Sequence, residues 1–204
     1  QKYAEAAAAA FVSAEDAAGA TCYICGEEGT EGMVRGCACR GTPGLVHLSC
    51  LVRQAQIGLD DKDDSGSLME HGSGTTKSIF WTTCENFREC RFCGKIFTEV
   101  LEHALARACW KLYARRPEDD KIRGGAMLTL ALFFEDTGRI KSAVPVYKAF
   151  LETLKKCDYK RIKLSEWNSR NVMEIVVRDL LAQCYRELGL IEEELVQRRM
   201  VYER

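Results

Sequence analysis

Ligand-type side chains come in four pairs along this chain: Cys22-x2-Cys25, Cys37-x-Cys39, His47-x2-Cys50 and Cys90-x2-Cys93. Two residues between ligands make a tight turn that points both side chains at one ion, with backbone N–H groups directed at the sulfurs. Eight such groups suffice for two tetrahedral zinc ions. A site closed by four protein ligands has no position left for water, so metal-assisted hydrolysis is not expected and no catalytic residue is assigned. A redox C-x-x-C would stand once, at the start of a helix, and would explain neither the His47–Cys50 pair nor the single residue between Cys37 and Cys39. Eleven cysteines are an odd number for a disulfide scaffold. The start, "QKYAEAAAAAFVSAEDAAGA", lacks the basic and apolar runs of a secretory signal. Clustered thiols without such a signal point to a reducing, intracellular setting, cytoplasmic or nuclear, and to structural zinc. Because the sequence starts at Gln1, it is expected to be a fragment.

The remaining thiols and imidazoles are weaker candidates. Cys84 competes with Cys90 as the seventh ligand, but the two are separated by five intervening residues and lack the compact turn. His71 stands in a glycine-serine stretch and is read as solvated; His103 is read as an ordinary helix residue. Cys109, Cys157 and Cys184 sit alone in helix-like sequence, as small apolar fillers.

Residues 1–20 read as an alanine-rich lead-in, and 21–98 as a small, loop-rich zinc-binding domain of α+β type, held by metal where a core would be too small. Within it, about residues 57–78 are polar, acidic and rich in Gly and Ser, which predicts a flexible insertion. From 99 to 204 the pattern is helical. "VLEHALARACWKLYA" carries an apolar face, "RRPEDDKIRGG" breaks it, and "AMLTLALFFEDTG" and "IKSAVPVYKAFLETLKK" make a hairpin around Gly138, with Pro145 in the first turn of its second helix. "SRNVMEIVVRDLLAQCYRELG" and a last helix from about Glu192 make another, ending the first arm at Gly189. Aligning the two glycines puts Ala131 over Ala182, Phe134 over Tyr185 and Ile140 over Ile191. This resembles the tetratricopeptide repeat, although the glycines are 51 residues apart where that repeat uses about 34, and Glu194 and Arg198 replace a small and an aromatic residue. A helical bundle whose stripes are simply core is the equal alternative.

The ligand order, with one residue between the third and fourth ligands, seven before the histidine and two after it, resembles the RING-CH (RINGv) variant of the RING finger. "CRGTPGLVHLSCL" looks like that family's central segment. The resemblance implies a cross-braced fold in which Cys22, Cys25, His47 and Cys50 hold one zinc, and Cys37, Cys39, Cys90 and Cys93 the other. It implies ubiquitin transfer without covalent chemistry, by docking a charged ubiquitin-conjugating enzyme and holding its thioester in a reactive pose. The docking positions carried over are Ile24, Leu51, Arg91 and Phe92. The chain departs from the family at Gln54, where Trp is common, at Arg91, where many active RING fingers have Pro, and at Gly94, where a basic residue is usual. Trp81 is a candidate for the missing aromatic.

Net charge is −1, so no global field draws the chain to nucleic acid or an anionic membrane. No stretch approaches the ~18 to 20 apolar residues of a membrane span. The expected function is a RING-CH-type ubiquitin-protein ligase whose helical region binds a protein substrate or a scaffold. Two alternatives stand beside it. One is a non-catalytic interaction module, which the departures at Gln54, Arg91 and Gly94 favour. The other is a chromatin reader of the plant-homeodomain type, for which Tyr23, Trp81 and the acidic insertion would have to supply an aromatic cage or acidic groove.

Overall fold

The structure, a computed structural model, describes residues 19–28, 33–35, 37, 45–65, 79–157 and 164–203. The alanine-rich lead-in up to residue 18, Cys39 and His71 fall outside them. The described residues belong to two compact units, one drawn from Gln1–Gly66 and Glu85–Cys109, the other from Ser67–Cys84 and Trp110–Arg204. The boundary expected near residue 98 coincides with none of the three divisions between them.

In the first unit, β1 (Met33–Val34) and β2 (Val46–His47) form an antiparallel ribbon that pairs Met33 with His47 and Val34 with Val46. Met33, Val34, Leu45 and Val46 are all buried, so this ribbon is an apolar centre that carries His47 at its end. Helix α1 (Leu48–Ser65) follows His47 without a linker. Its buried side is a narrow stripe of Leu51, Ala55 and Leu59, four residues apart. The helix corrects the expected insertion, since residues 57–65 are helical. One apolar residue per turn was too thin a signal against the charged "DDKDD" run.

Helices α2 (Ile79–Arg88) and α3 (Glu99–Tyr113) each contribute to both units. To the first they add buried Phe87, Leu101, Leu105, Ala106 and Cys109. There Arg88 Nε donates to Glu102 Oε1 at 2.7 Å, joining the end of α2 to the first turn of α3.

The second unit is helical. Helix α4 (Lys121–Asp136) packs on α5 (Ile140–Lys156), α5 on α6 (Leu164–Glu187), and α6 on α7 (Ile191–Tyr202). Both hairpins turn through a glycine with positive φ, +67° at Gly138 and +73° at Gly189. The same bonds close both turns: Arg139 N–H to the Phe134 carbonyl at 2.7 Å, and Leu190 N–H to the Tyr185 carbonyl at 2.9 Å. The alignment of the two glycines in sequence is therefore an alignment of two identical turns, with Ala131 and Ala182 both fully buried behind them. Beyond the turn the copies diverge. Ala143 is buried among apolar side chains, whereas its counterpart Glu194 pairs with Arg186 and Arg198.

Two local expectations are corrected here. Pro145 lies inside α5, past its first turn. Both it and Lys141, whose carbonyl would otherwise accept the missing N–H bond, are exposed, so water can serve that carbonyl. The glycines of "KIRGG", read as a break, lie within α4, which starts after the N-cap Asp120. A Cβ on Gly124 would lie 2.7 Å from Phe80 Cε1, and one on Gly125 would lie 2.5 Å from Thr83 Cβ. These glycines are there for the close approach of α2. Gly125→Ala should gain about 1 kcal/mol of helix propensity and lose more to overpacking, typically 1–3 kcal/mol. The expected net result is a lower urea midpoint at unchanged m-value, and a midpoint at or above that of the parent would contradict the close contact.

Candidate metal centre

The ligand pairs at the two ends of the zinc region adopt the same local build. Thr21 bridges Glu28 and Glu89 bridges Ile96, each closing a short antiparallel loop around a C-x-x-C turn. In the first loop, Gly26 N–H donates to the Cys22 carbonyl at 2.8 Å and Cys22 N–H to the Glu27 carbonyl at 3.0 Å. In the second, Gly94 N–H donates to the Cys90 carbonyl at 2.8 Å and Cys90 N–H to the Lys95 carbonyl at 2.9 Å. Gly26 and Gly94 have φ of +74° and +65°. A β-carbon is disfavoured there, which is the physical reason Gly94 stands where a basic residue was looked for.

These knuckles bring ligands together from distant sequence. The ligand atoms of Cys22, Cys25, His47 and Cys50 lie within 4.8 Å of one another, and so do those of Cys37, Cys90 and Cys93. Cys39 lies outside the described residues. The first cluster joins the first knuckle to the end of β2 and the first turn of α1. The sulfurs of Cys25 and Cys50 are 3.4 and 3.8 Å from His47 Nδ1, which marks Nδ1 as the atom facing the centre. Tetrahedral zinc with bonds of about 2.0–2.3 Å separates its ligands by roughly 3.5–3.8 Å, so this donor set fits the ion.

The electrostatics of the first cluster call for a cation. Burial opposes ionisation of Cys22, yet backbone N–H groups of Cys25, His47 and Ile24 outweigh it and lower its thiol to about 6. Cys50 is pushed up to about 12 by its own burial, then by hydrogen bonds and charge from Cys25 and Cys22. A divalent ion among them would allow the sulfurs to ionise together.

The competing ligands are accounted for elsewhere. Cys84 is buried in the helical unit, where it accepts from Thr129 Oγ1 at 3.4 Å and lies 3.7 Å from the Gly125 carbonyl. Trp81 packs against the core of that unit. His103 is a half-buried residue of α3. Cys109, Cys157 and Cys184 are buried, and the Cys157 thiol donates to the Asp119 carbonyl at 3.1 Å.

Of the docking positions, Ile24 is half-buried and Phe92 is 65% exposed. Arg91 is exposed at its backbone turn, with its guanidinium Nη2 3.5 Å from both the Gln54 carbonyl and Asn86 Oδ1. Leu51 is only 5% exposed and belongs to the buried stripe of α1. Its position just after a ligand suggested a surface, but the helical period turns it inward. Sequence reasoning missed the role of Tyr23, whose ring meets Phe92 edge-on with centroids 5.0 Å apart. An aromatic residue between the ligands of each C-x-x-C turn was the signal that could have found it.

Residues 22–63 match the family model described as RINGv: RING-variant domain. No curated protein and no solved structure matches the chain. The match spans the first six ligand positions and ends before Cys90 and Cys93, which join the arrangement through the second cluster.

Proposed function

We propose, from the RING-variant domain matched at residues 22–63, that the chain is a ubiquitin-protein ligase. It holds two zinc ions, one on Cys22, Cys25, His47 and Cys50, the other on Cys37, Cys39, Cys90 and Cys93. It docks a ubiquitin-conjugating enzyme on the tips of its two knuckles and acts by proximity and orientation, with no covalent intermediate. One observation carries this reading. The first and third ligand pairs share a cluster, while the second and fourth, as far as described, share the other. That interleaving sets the Tyr23-Ile24 and Arg91-Phe92 tips side by side, as the Tyr23–Phe92 contact illustrates. Ile24, Phe92 and Arg91 are the contact residues, and Leu51 supports them from within.

The helical unit, with two glycine-turned hairpins of tetratricopeptide-like pattern, binds the protein substrate or a scaffold. Among the described residues no helix is long and apolar enough to cross a membrane. A non-catalytic interaction module is the second reading. It is favoured by apolar residues left exposed on the last hairpin, including Ile191 (66%), Leu195 (56%) and Tyr202 (81%), which offer a working surface independent of ubiquitin.

Autoubiquitination with a panel of conjugating enzymes separates the two. Ubiquitin chains are expected with at least one enzyme. Ile24→Ala should reduce the rate by about 10- to 100-fold, the effect of withdrawing one isoleucine from an interface worth ~1.5–3 kcal/mol per buried side chain. No transfer with any enzyme, or transfer indifferent to Ile24→Ala, would favour the non-catalytic module.

A further inference from the structure

Each knuckle presents two residues between its ligands, and those of the second are tethered on opposite sides. Phe92 is largely exposed, and it meets Tyr23 in an edge-to-face contact, with centroids 5.0 Å apart and planes at 84°. Such pairs have a preferred geometry as well as an area of contact. Tyr23 is itself pinned, because its N–H donates to the Leu45 carbonyl at 3.3 Å, at the entry to the strand that carries His47. Phe92 is therefore registered against the frame of the other metal cluster.

Arg91 is held by α1. Its Nη2 lies 3.5 Å from the Gln54 carbonyl and from Asn86 Oδ1, and it occupies the space a β-carbon on residue 58 would need. Gly58 is an unfavourable choice for the interior of a helix. Here the missing side chain makes the seat for the guanidinium.

We propose that Tyr23 and Gly58 are positioning residues that fix the Arg91-Phe92 tip and thereby set the surface offered to the ubiquitin-conjugating enzyme. This rests on the docking role given to that tip above. Neither residue need touch the enzyme. Tyr23 acts through Phe92, and Gly58 acts through Arg91.

The test measures Kd of the full zinc-loaded chain for a conjugating enzyme from the panel, with zinc content and melting temperature recorded for every variant. Tyr23→Ala and Gly58→Ala should each weaken binding about three- to tenfold, the scale of one aromatic or tethering contact. Tyr23→Phe keeps the ring and should bind as the parent does. Gly58→Ala gives the decisive reading, since alanine favours the helix and the group it displaces is the far end of a flexible side chain. Its melting temperature should hold or rise while its affinity falls, which a merely structural role would not produce. Should Tyr23→Ala lose zinc, Gly58→Ala decides by the same measurement. If Gly58→Ala binds as tightly as the parent while Ile24→Ala abolishes binding, the positioning role fails and the docking reading stands. If the parent chain binds no enzyme in the panel, both fail.

Discussion

Chelating zinc should unfold the first unit and leave the α4–α7 hairpins folded. Apart from the buried residues of α2 and α3, among them Phe87, Leu101 and Leu105, the first unit has little to hold it otherwise. Its sheet is two residues per strand, and the stripe of α1 is one residue wide. In domains of this kind the free energy of metal binding is folding free energy, on the order of 10–16 kcal/mol for a structural zinc. The hairpins bury their own core, centred on Tyr147, Phe150, Leu154 and Leu181, and contain no metal cluster among the described residues. Hydrogen exchange after chelation should therefore show lost protection at Met33, Val34 and Val46, with protection retained through α4 to α7. Cys50→Ser should reproduce the loss, since a serine hydroxyl does not ionise near neutral pH to replace the thiolate. Elemental analysis of the parent should give two zinc ions per chain. One ion, or a first unit still protected after complete chelation, would contradict this account. The pH dependence has a fixed sign. Thiolates would be the ligands, so protons compete with zinc and retention should fall as pH drops, most steeply below about 6, where the favoured Cys22 thiolate is also taken up by protons.

The grouping of the seven described ligand-type residues was legible in the sequence because its information is local. Each C-x-x-C turn specifies its own geometry, and the spacing around Cys37, Cys39 and His47 distinguishes one zinc fold from another. The hairpin turns were legible for the same reason: Gly138 and Gly189 each end a helix that announces itself by periodicity. What was not legible depends on neighbours distant in sequence. Gly124 and Gly125 read as a break because nothing local reveals that Phe80 and Thr83 lie against them. Gly58 looked like the start of a loop, but its partner is a guanidinium 33 positions away, on Arg91. Leu51 was placed on the surface by analogy with the motif, and the α1 period overrides the analogy. Trp81 and Cys84 were weighed as parts of the zinc region by proximity in sequence, but both pack into the helical core.

Glu102→Ala should be the most damaging single substitution outside the metal ligands and the large apolar cores. The Arg88 and Glu102 side chains are 11% and 5% exposed, and their 2.7 Å contact joins α2 to α3 within the first unit. Removing the carboxylate takes a charge partner at 2.7 Å from a buried guanidinium, and breaking a buried pair from one side typically costs about 3–5 kcal/mol. The damage should extend to the second knuckle. The Arg88 carbonyl accepts the Phe97 N–H at 2.9 Å, and the adjacent Glu89–Ile96 bridge frames Cys90 and Cys93. Glu102→Ala should therefore release zinc to a chelator faster than the parent chain does, in addition to lowering the urea midpoint. Replacing both partners separates charge burial from packing. An Arg88→Met, Glu102→Leu double variant removes both buried charges together and should recover most of the stability. A Glu102→Ala variant within about 1 kcal/mol of the parent would mean that water reaches the guanidinium and that the pair behaves as a surface salt bridge. A double variant no better than Glu102→Ala would instead show that the geometry of the pair, beyond its charge balance, holds the second knuckle in place.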